Sequence, residues 1–128
     1  MKKEINSKNA PKAVGPYSQA IQVGDMLFCS GQIGIDPVTN EMVISDASDQ
    51  AKQVFKNLKA VLNEAGFTFS DVVKVTVFLK NMSDYLEVNE VYAGVFEKPY
   101  PARAAIEVSN LPKDALVEIE CIAVRKSK

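Results

Sequence analysis

The sequence has no histidine and no tryptophan, and its 128 residues include only 2 cysteines. Without histidine, the chain cannot form a Ser-His-Asp triad, a histidine general base or a histidine-containing metal site. Proton transfer therefore falls to a carboxylate, a tyrosine, a lysine, a hydroxyl group or water. Cys29 and Cys121 stand apart in apolar, strand-like stretches. This predicts buried free thiols in a reducing compartment, although a Cys29–Cys121 disulfide stays open.

The chain also lacks an excess of charge of one sign and a long hydrophobic run. Its 15 basic residues stand against 16 acidic ones, which gives a net charge of −1. It offers no positive field for a phosphate backbone, so we expect no nucleic-acid partner. No segment approaches the roughly 20 apolar residues of a membrane span, and Met1–Glu4 is not the start of a signal peptide. We therefore expect a cytoplasmic protein that does not contact a membrane.

The composition is that of an ordinary globular domain, with 47% apolar and 24% charged residues. The length predicts one domain over residues 1–128. The run Gly31-Gln32-Ile33-Gly34 lacks the GxGxxG spacing of a dinucleotide site, and no P-loop is present. No motif in the sequence calls for a cofactor or a metal.

Turn signals and short apolar runs predict a β-meander after about ten polar, loosely held residues. Its strands are expected at Ala20–Val23, Met26–Ile33 and Glu41–Ile44. Gly24 and Asp25 form the first hairpin turn, with the glycine supplying a positive φ. Three further strands are predicted at about 71–80, 102–108 and 116–124.

Two helices are predicted. Apolar residues recur at three- and four-residue steps from about Ala47 to Ala65, with Asp46 as the N-cap and Gly66 as the terminator. Ser83 is the expected cap of a second helix that runs to about Phe96. Its expected buried residues are Leu86, Val91, Val95 and Phe96.

The order β-β-β-α-β-α-β-β predicts an α+β fold with a sheet of about six strands. Two helices cannot cover both faces of such a sheet, so we expect them on one face. Period-two alternation places Val73, Val75, Val77 and Leu79 together on one side of the fourth strand. The opposite side of the sheet is half apolar, and we expect it to meet other subunits. Its expected members are Val72, Lys74, Thr76, Phe78, Glu118, Glu120, Ile122 and Val124.

Arg103 is the first candidate for chemistry. Its guanidinium binds a planar carboxylate bidentately and stays charged at any working pH, and its small alanine neighbours leave room for a ligand. The alternative is a surface arginine paired with Glu107 or Glu118. Glu118 and Glu120 share one strand face. They are either a solvated face or, if Glu118 enters the cleft that Arg103 enters, a proton-transfer group.

Four other residues are weaker candidates. Ser30 has no base beside it in the sequence, so its hydroxyl is expected to hydrogen-bond either a ligand or its own backbone. Gly31 lets a ligand or another backbone approach closely. Tyr17, on a loop, either packs or donates over the site. Asn89 is either a solvent-facing helix residue or a site residue.

Three blocks together resemble the reactive intermediate deaminase (Rid) family, RidA subgroup: Gly15 to Ala20, Ser30-Gly31-Gln32, and Pro101 to Val124. The resemblance extends from about Asn9 to Val124, and the block around Arg103 is its most specific part. It implies a chorismate-mutase-like fold and a homotrimer with a central barrel and clefts at the subunit boundaries. The implied activity is hydrolysis of 2-iminoacids, such as 2-iminobutanoate and 2-iminopropanoate, to 2-ketoacids and ammonia, without a cofactor or metal.

The resemblance also implies roles for individual residues. Arg103 would hold the substrate carboxylate, and Glu118 would position the attacking water. The other implied cleft residues are Tyr17, Ser30, Gly31, Asn89, Ala104 and Ala105. Many relatives have a cysteine where this chain has Ala105, so no reactive thiol is expected. Two alternatives stay open: a non-catalytic sensor of ketoacids, and a ribonuclease-type translation inhibitor.

Overall fold

The computed structural model describes residues 1–125. A mixed six-stranded sheet and a separate two-stranded ribbon are joined by two helices. The strands are β1 (Lys3–Ile5), β2 (Ala20–Val23), β3 (Met26–Gln32), β4 (Ile35–Asp36), β5 (Glu41–Met42), β6 (Val72–Leu79), β7 (Ala102–Glu107) and β8 (Val117–Val124). The helices are α1 (Ala47–Glu64) and α2 (Tyr85–Val95). None of the helices within residues 1–125 has the length and apolar character needed to cross a bilayer.

The main sheet has the order β1-β2-β3-β8-β6-β7. All neighbouring strands are antiparallel except β6 and β7, which are parallel because α2 forms the crossover between them. β6 is therefore flanked by β8, which carries Glu118, and by β7, which carries Arg103. The α+β fold with a mixed six-stranded sheet and two helices is confirmed.

The prediction of a loosely held N-terminus was wrong. β1 pairs with β2, and Ile5 is buried against the core. Ser7 and Gln19, both buried, then fix the chain: the Ser7 N–H donates to Gln19 Oε1 at 2.6 Å, and Gln19 Nε2 donates to the Ser7 carbonyl at 3.1 Å. Backbone pairing and one buried amide hold this polar segment, and neither leaves a hydrophobic pattern in the sequence.

The strand predicted at Glu41–Ile44 was wrong in extent and in partner. Only Glu41–Met42 is extended, and it pairs with β4 in the separate ribbon. Ile44 is exposed. The main sheet thus has the expected number of strands, but its sixth strand is β1 and not the predicted Glu41–Ile44.

Helix α1 follows its prediction closely. The Asp46 side chain accepts from the Asp49 N–H at 2.9 Å, and Gly66, with φ of +81°, ends the helix in the left-handed conformation. Its apolar stripe lies in the core under the sheet. Asn57, also buried, donates from Nδ2 to the carbonyls of Ile33 and Ile35 at 3.2 and 2.9 Å. α1 therefore anchors the segment that follows β3.

Helix α2 begins later than predicted. A 3₁₀ turn at Met82–Asp84 precedes it, so Ser83 is not its cap. Because the helix starts at Tyr85, its buried stripe passes through Val88, Tyr92 and the following Phe96, and Leu86 lies on the solvent side with 76% of its surface exposed. The expectation of a buried Leu86 was wrong, whereas Phe96 is buried as predicted.

A β-bulge near the start of β6 makes one more prediction wrong, namely which face of the sheet Val72 and Val73 occupy. Val72 lies opposite Ala123 and Lys74 lies opposite Ile122, so an extra residue stands between them. A bulge of this kind exchanges the faces of the residues on either side of it. Val72 is therefore buried and Val73 is exposed, the reverse of the expected arrangement.

The two faces of the sheet differ sharply. The face toward the helices is mostly apolar and includes Cys29 and Cys121, which are free, buried and opposite each other across β3 and β8. A hydrogen bond with Cys29, followed by burial, raises the pKa of Cys121 above the usual range of a thiol. We call the other side of the sheet the open face. It carries Met26, Phe28, Thr76, Phe78, Glu118, Glu120, Ile122 and Val124.

Candidate active site

Arg103 is held by α2, on the helix side of the sheet. It lies beside Val75 of β6, whose side chain is buried under the helices. Arg103 Nη1 donates to Asn89 Oδ1 at 2.6 Å, and Nη2 donates to the Tyr85 hydroxyl at 2.7 Å. The guanidinium carbon stands 4.7 Å from the centre of the Tyr92 ring, which is cation–π distance. We call Tyr85, Asn89, Tyr92 and Arg103 the arginine cluster.

Three members of the arginine cluster come from one stripe of α2. Tyr85, Asn89 and Tyr92 follow each other at steps of four and three residues, so they lie on the same side of the helix. The Asn89 side chain thus binds Arg103 and does not only face solvent. Sequence reasoning missed Tyr85 and Tyr92, although their spacing from Asn89 was the signal that would have found them.

Tyr92 supplies an aromatic platform under the guanidinium. Its ring is packed against Phe55 and Phe96, and burial raises the pKa of its phenol, an effect that the positive charge of Arg103 partly offsets. Its buried hydroxyl makes no hydrogen bond within the part of the chain that the structure describes. Beside it, Ala105 leaves a narrow gap of about 10 Å³ below Arg103.

Arg103 has no acidic partner within residues 1–125. Glu107, one of the two expected partners, instead accepts from the Met82 N–H at 2.7 Å. Glu118, the other, projects from the opposite face of the sheet. Only neutral acceptors bind the guanidinium, and two of its N–H groups are used. The remaining N–H groups and the full positive charge are available to an anion.

Glu118 lines a separate cavity of about 490 Å³, which we call the glutamate cavity. Tyr17, Ser30, Gly31 and Lys113 also line it. Glu118 is half-buried, and its desolvation, followed by the negative charge of Glu120, raises the pKa of its carboxyl group. A carboxyl group in this state keeps its proton to a higher pH than usual, which favours both donating and accepting a proton.

Gly31 makes the room that Glu118 occupies. Ser30 and Gly31 form a bulge in β3, since Cys29 is opposite Cys121 while Gln32 is opposite Ile119. A methyl group at Gly31 would overlap the Glu118 carboxylate. The sequence predicted the close approach of a ligand or another backbone at Gly31; the group that approaches in the structure is the Glu118 side chain.

The Ser30 hydroxyl is hydrogen-bonded to the backbone. Its Oγ donates to the Ser18 carbonyl at 2.6 Å, and its N–H donates to the Gln19 carbonyl at 3.0 Å. The hydroxyl proton is thus committed, while the oxygen can accept from a ligand. Tyr17 lies next to Ser18 in the loop before β2. It lines the cavity and exposes 53% of its surface.

Lys113 and Asp114 form a strained turn beside the glutamate cavity. Their φ angles are +54° and +56°, in the left-handed region that residues other than glycine seldom adopt. Strain of this kind concentrates at functional sites, where the surrounding structure holds it in place. The turn places Lys113 on the cavity wall, opposite in charge to Glu118.

The structure thus divides the predicted site residues of one chain between two places. Arg103 and Asn89 belong to the arginine cluster on the helix side, and Ala105 lies beside that cluster. Tyr17, Ser30, Gly31 and Glu118 belong to the glutamate cavity on the other side. Ala104 lies beside Thr76, on the open face. Along residues 1–125, no group of three or more acidic or cysteine side chains is placed to hold a metal ion.

Comparisons with known proteins match nearly the whole length of the chain. The family model described as Endoribonuclease L-PSP matches residues 7–125. A RutC family protein from Pyrococcus horikoshii is 56% identical over 126 residues, which span 98% of this chain and 100% of the relative. A 2-iminobutanoate/2-iminopropanoate deaminase from Dermatophagoides farinae is 48% identical over 123 residues, or 96% of each chain. The crystal structure of RidA from an Antarctic Psychrobacter matches with a TM-score of 0.93 and 46% identity, covering 96% of this chain and 99% of that one.

Proposed function

The chain belongs to the Rid family, and on that premise we propose that it hydrolyses small 2-iminoacids to 2-ketoacids and ammonia at sites that two subunits build together. The observation that carries this proposal is Arg103: an arginine oriented by neutral acceptors and left without an acidic partner along the described chain. The deaminase from Dermatophagoides farinae supports the reaction, since 48% identity extends over nearly the whole of both chains.

Arg103 is the group that binds the substrate carboxylate. A 2-iminoacid is a small planar anion, and a guanidinium fork matches a carboxylate in charge and shape. Because the fork is already oriented by Asn89 and Tyr85, little side-chain freedom is lost when the substrate binds. The small Ala104 and Ala105 beside it leave their backbone groups accessible to the ligand.

Glu118 is the group that moves protons. The imine carbon is already electrophilic, so the addition of water needs orientation and proton transfer more than a strong nucleophile. Glu118 accepts a proton from the attacking water and passes it to the imine nitrogen, which gives a neutral carbinolamine. It then takes the proton of the carbinolamine hydroxyl and passes it to the same nitrogen, so that the C–N bond breaks and ammonia leaves as the carbonyl forms. The raised pKa of its carboxyl group supports both steps, and Ser30 and Tyr17 border the same space.

Assembly into a trimer is part of the proposal, because a substrate of this size cannot contact both faces of one sheet. The open face is a suitable interface. Phe28 and Val124 expose 41% and 40% of their surface there, and Ile106 of the neighbouring edge strand β7 exposes 44%. Exposed apolar side chains on one face of a sheet favour a protein–protein contact there. In the proposed homotrimer, the arginine cluster of one subunit meets the glutamate cavity of the next.

A ketoacid sensor is the second candidate, because the arginine cluster alone is sufficient for carboxylate binding. The raised pKa of Glu118 favours the enzyme, since a sensor has no use for a carboxyl group poised for proton transfer. A ribonuclease-type role is not favoured, because the net charge of the chain is −1 and RNA phosphates are bound by positively charged surfaces.

The test is an imine-trapping assay. A threonine dehydratase generates 2-aminocrotonate, semicarbazide competes for the resulting imine, and semicarbazone formation is followed with and without the protein. The wild type should suppress the semicarbazone, and Arg103→Ala and Glu118→Gln should not. A wild type that leaves the trapping rate unchanged would overturn the enzyme. Retained binding of 2-oxobutanoate, measured by calorimetry, would then identify the sensor.

A further inference from the structure

The in-plane orientation of Arg103 depends on a residue that no motif points to. The guanidinium carbon lies 4.7 Å from the centre of the Tyr92 ring, and this contact alone leaves the guanidinium free to rotate over the ring. Two hydrogen bonds prevent this rotation, one to Asn89 Oδ1 and one to the Tyr85 hydroxyl. Since these acceptors belong to residues one helical turn apart, the direction of the fork follows the axis of α2.

The start of α2 is itself tied to β7, the strand that carries Arg103. Glu107, at the end of β7, accepts from the Met82 N–H in the turn just before the helix. Tyr85 is the first residue of the helix, so its hydroxyl is set at a defined distance from β7. The contact between Tyr85 and Arg103 is therefore built on two fixed elements.

We propose that Tyr85 is a positioning residue, whose phenol oxygen sets the direction of Arg103 so that its free N–H groups receive the substrate carboxylate. This inference rests on the proposed function, because it assumes that Arg103 binds a carboxylate. Tyr85 acts through Arg103 and does not touch the reacting atoms. Its loss should weaken binding and raise KM while kcat changes little, since the same carboxylate contact is present in the ground state and the transition state.

The experiment is a double-mutant cycle read by calorimetry with 2-oxobutanoate, the ketoacid product of 2-iminobutanoate, which retains the carboxylate. Tyr85→Phe keeps the ring and removes only the hydroxyl. It should raise Kd about three- to tenfold, the usual effect of one lost hydrogen bond. In an Arg103→Lys background, where no fork remains to be oriented, the same change should alter Kd by less than about twofold. Tyr100→Phe, on the exposed loop before β7, is the matched control and should bind like the wild type.

The outcomes separate this inference from the proposed function. If Tyr85→Phe binds like the wild type while Arg103→Lys binds weakly, the positioning role is wrong and the proposed function stands. If Tyr85→Phe weakens binding equally in both backgrounds, Tyr85 does not act through Arg103 and the inference is again wrong. If Arg103→Lys itself binds 2-oxobutanoate like the wild type, it is the proposed function that fails. Thermal unfolding of each variant, expected within a few degrees of the wild type, excludes misfolding as a cause.

Discussion

Arg103 and Glu118 project from opposite faces of one sheet, although their strands flank the same central strand. β6 pairs Val75 with Arg103 on one side and Phe78 with Glu118 on the other. Val75 faces the helices and Phe78 belongs to the open face. No change of side-chain rotamer brings the two site residues together in one chain. Chemistry that needs both residues therefore needs two subunits.

This separation predicts that inactive subunits will complement each other. In a trimer, one intact site needs Arg103 from one subunit and Glu118 from its neighbour. Arg103→Ala and Glu118→Gln, each inactive alone, should regain about a quarter of the wild-type rate when co-expressed in equal amounts, because a random boundary combines both intact halves with that frequency. The semicarbazone assay measures the rate, and light scattering should report a trimer for all three samples. Absence of any recovery in mixed trimers would mean that the site lies within one chain.

Gly31→Ala should leave the fold intact and displace the Glu118 carboxylate, the proposed proton-transfer group. The added methyl group meets the flexible end of Glu118, so the side chain can move aside at a cost of about 1 kcal/mol in the free energy of unfolding. Displacement by even an ångström should lower kcat about 10- to 100-fold. Gly94→Ala is the matched control, since a methyl group there meets nothing and adds up to about 1 kcal/mol of helix stability. Wild-type turnover by Gly31→Ala would show that the placement of Glu118 is not critical.

The raised pKa of Glu118 predicts a pH dependence of stability. Burial and Glu120 raise the pKa of the folded carboxyl group above its ordinary value of 4.5, so the folded state binds its proton more tightly than the unfolded state. The stability that this group contributes is fully present below the ordinary value and is lost as the pH rises through the raised pKa. Urea unfolding should therefore show the wild type losing stability relative to Glu118→Gln as the pH rises above the ordinary value of 4.5. Glu97→Gln, which removes an exposed carboxylate, controls for net charge; a constant difference between wild type and Glu118→Gln would contradict the raised pKa.

Asn57→Ala should destabilise the protein and loosen the glutamate cavity. The buried amide donates to the carbonyls of Ile33 and Ile35, and both residues line that cavity. The Ile33 carbonyl keeps the Ile35 N–H as a donor, so the loss of these two hydrogen bonds should cost about 1 to 3 kcal/mol, measured by urea unfolding. Asn63→Ala, at an exposed position near the end of the same helix, should cost less than about 1 kcal/mol. Equal losses for the two variants would show that the hydrogen bonds to the Ile33–Ile35 segment contribute nothing.

The sequence predicted those parts of the fold that depend on local signals. Helix α1 has a strong apolar period, an aspartate cap and a glycine terminator, all contained within its own span. The pairing of β1 with β2 depends on residues about 17 positions apart and on backbone groups that every residue carries. The hydrophobic pattern does not indicate such a strand. Lys3–Ile5 was therefore missed, and Glu41–Ile44 was wrongly assigned to the main sheet.

The candidate site was predictable as a set of residues but not as an arrangement. The charge and shape of Arg103, the space beside Gly31 and the shared face of Glu118 and Glu120 follow from residue type and strand period. Which face each strand presents depends on the bulges in β3 and β6, and neither bulge has a signature in its apolar residues. Tyr85 was missed because the buried face of α2 was predicted to pass through Leu86, whereas it passes through Val88 and Tyr92.

The position of the two cysteines has a consequence for oxidative conditions. Cys29 and Cys121 lie on the helix side of the sheet, buried, with the pKa of Cys121 raised, so the reactive thiolate is scarce and peroxides or alkylating agents reach it poorly. Neither lines the arginine cluster or the glutamate cavity, and Ala105 brings no sulfur to the arginine cluster. The proposed reaction can therefore proceed unimpaired under an oxidant load that silences enzymes with a cysteine in their active site.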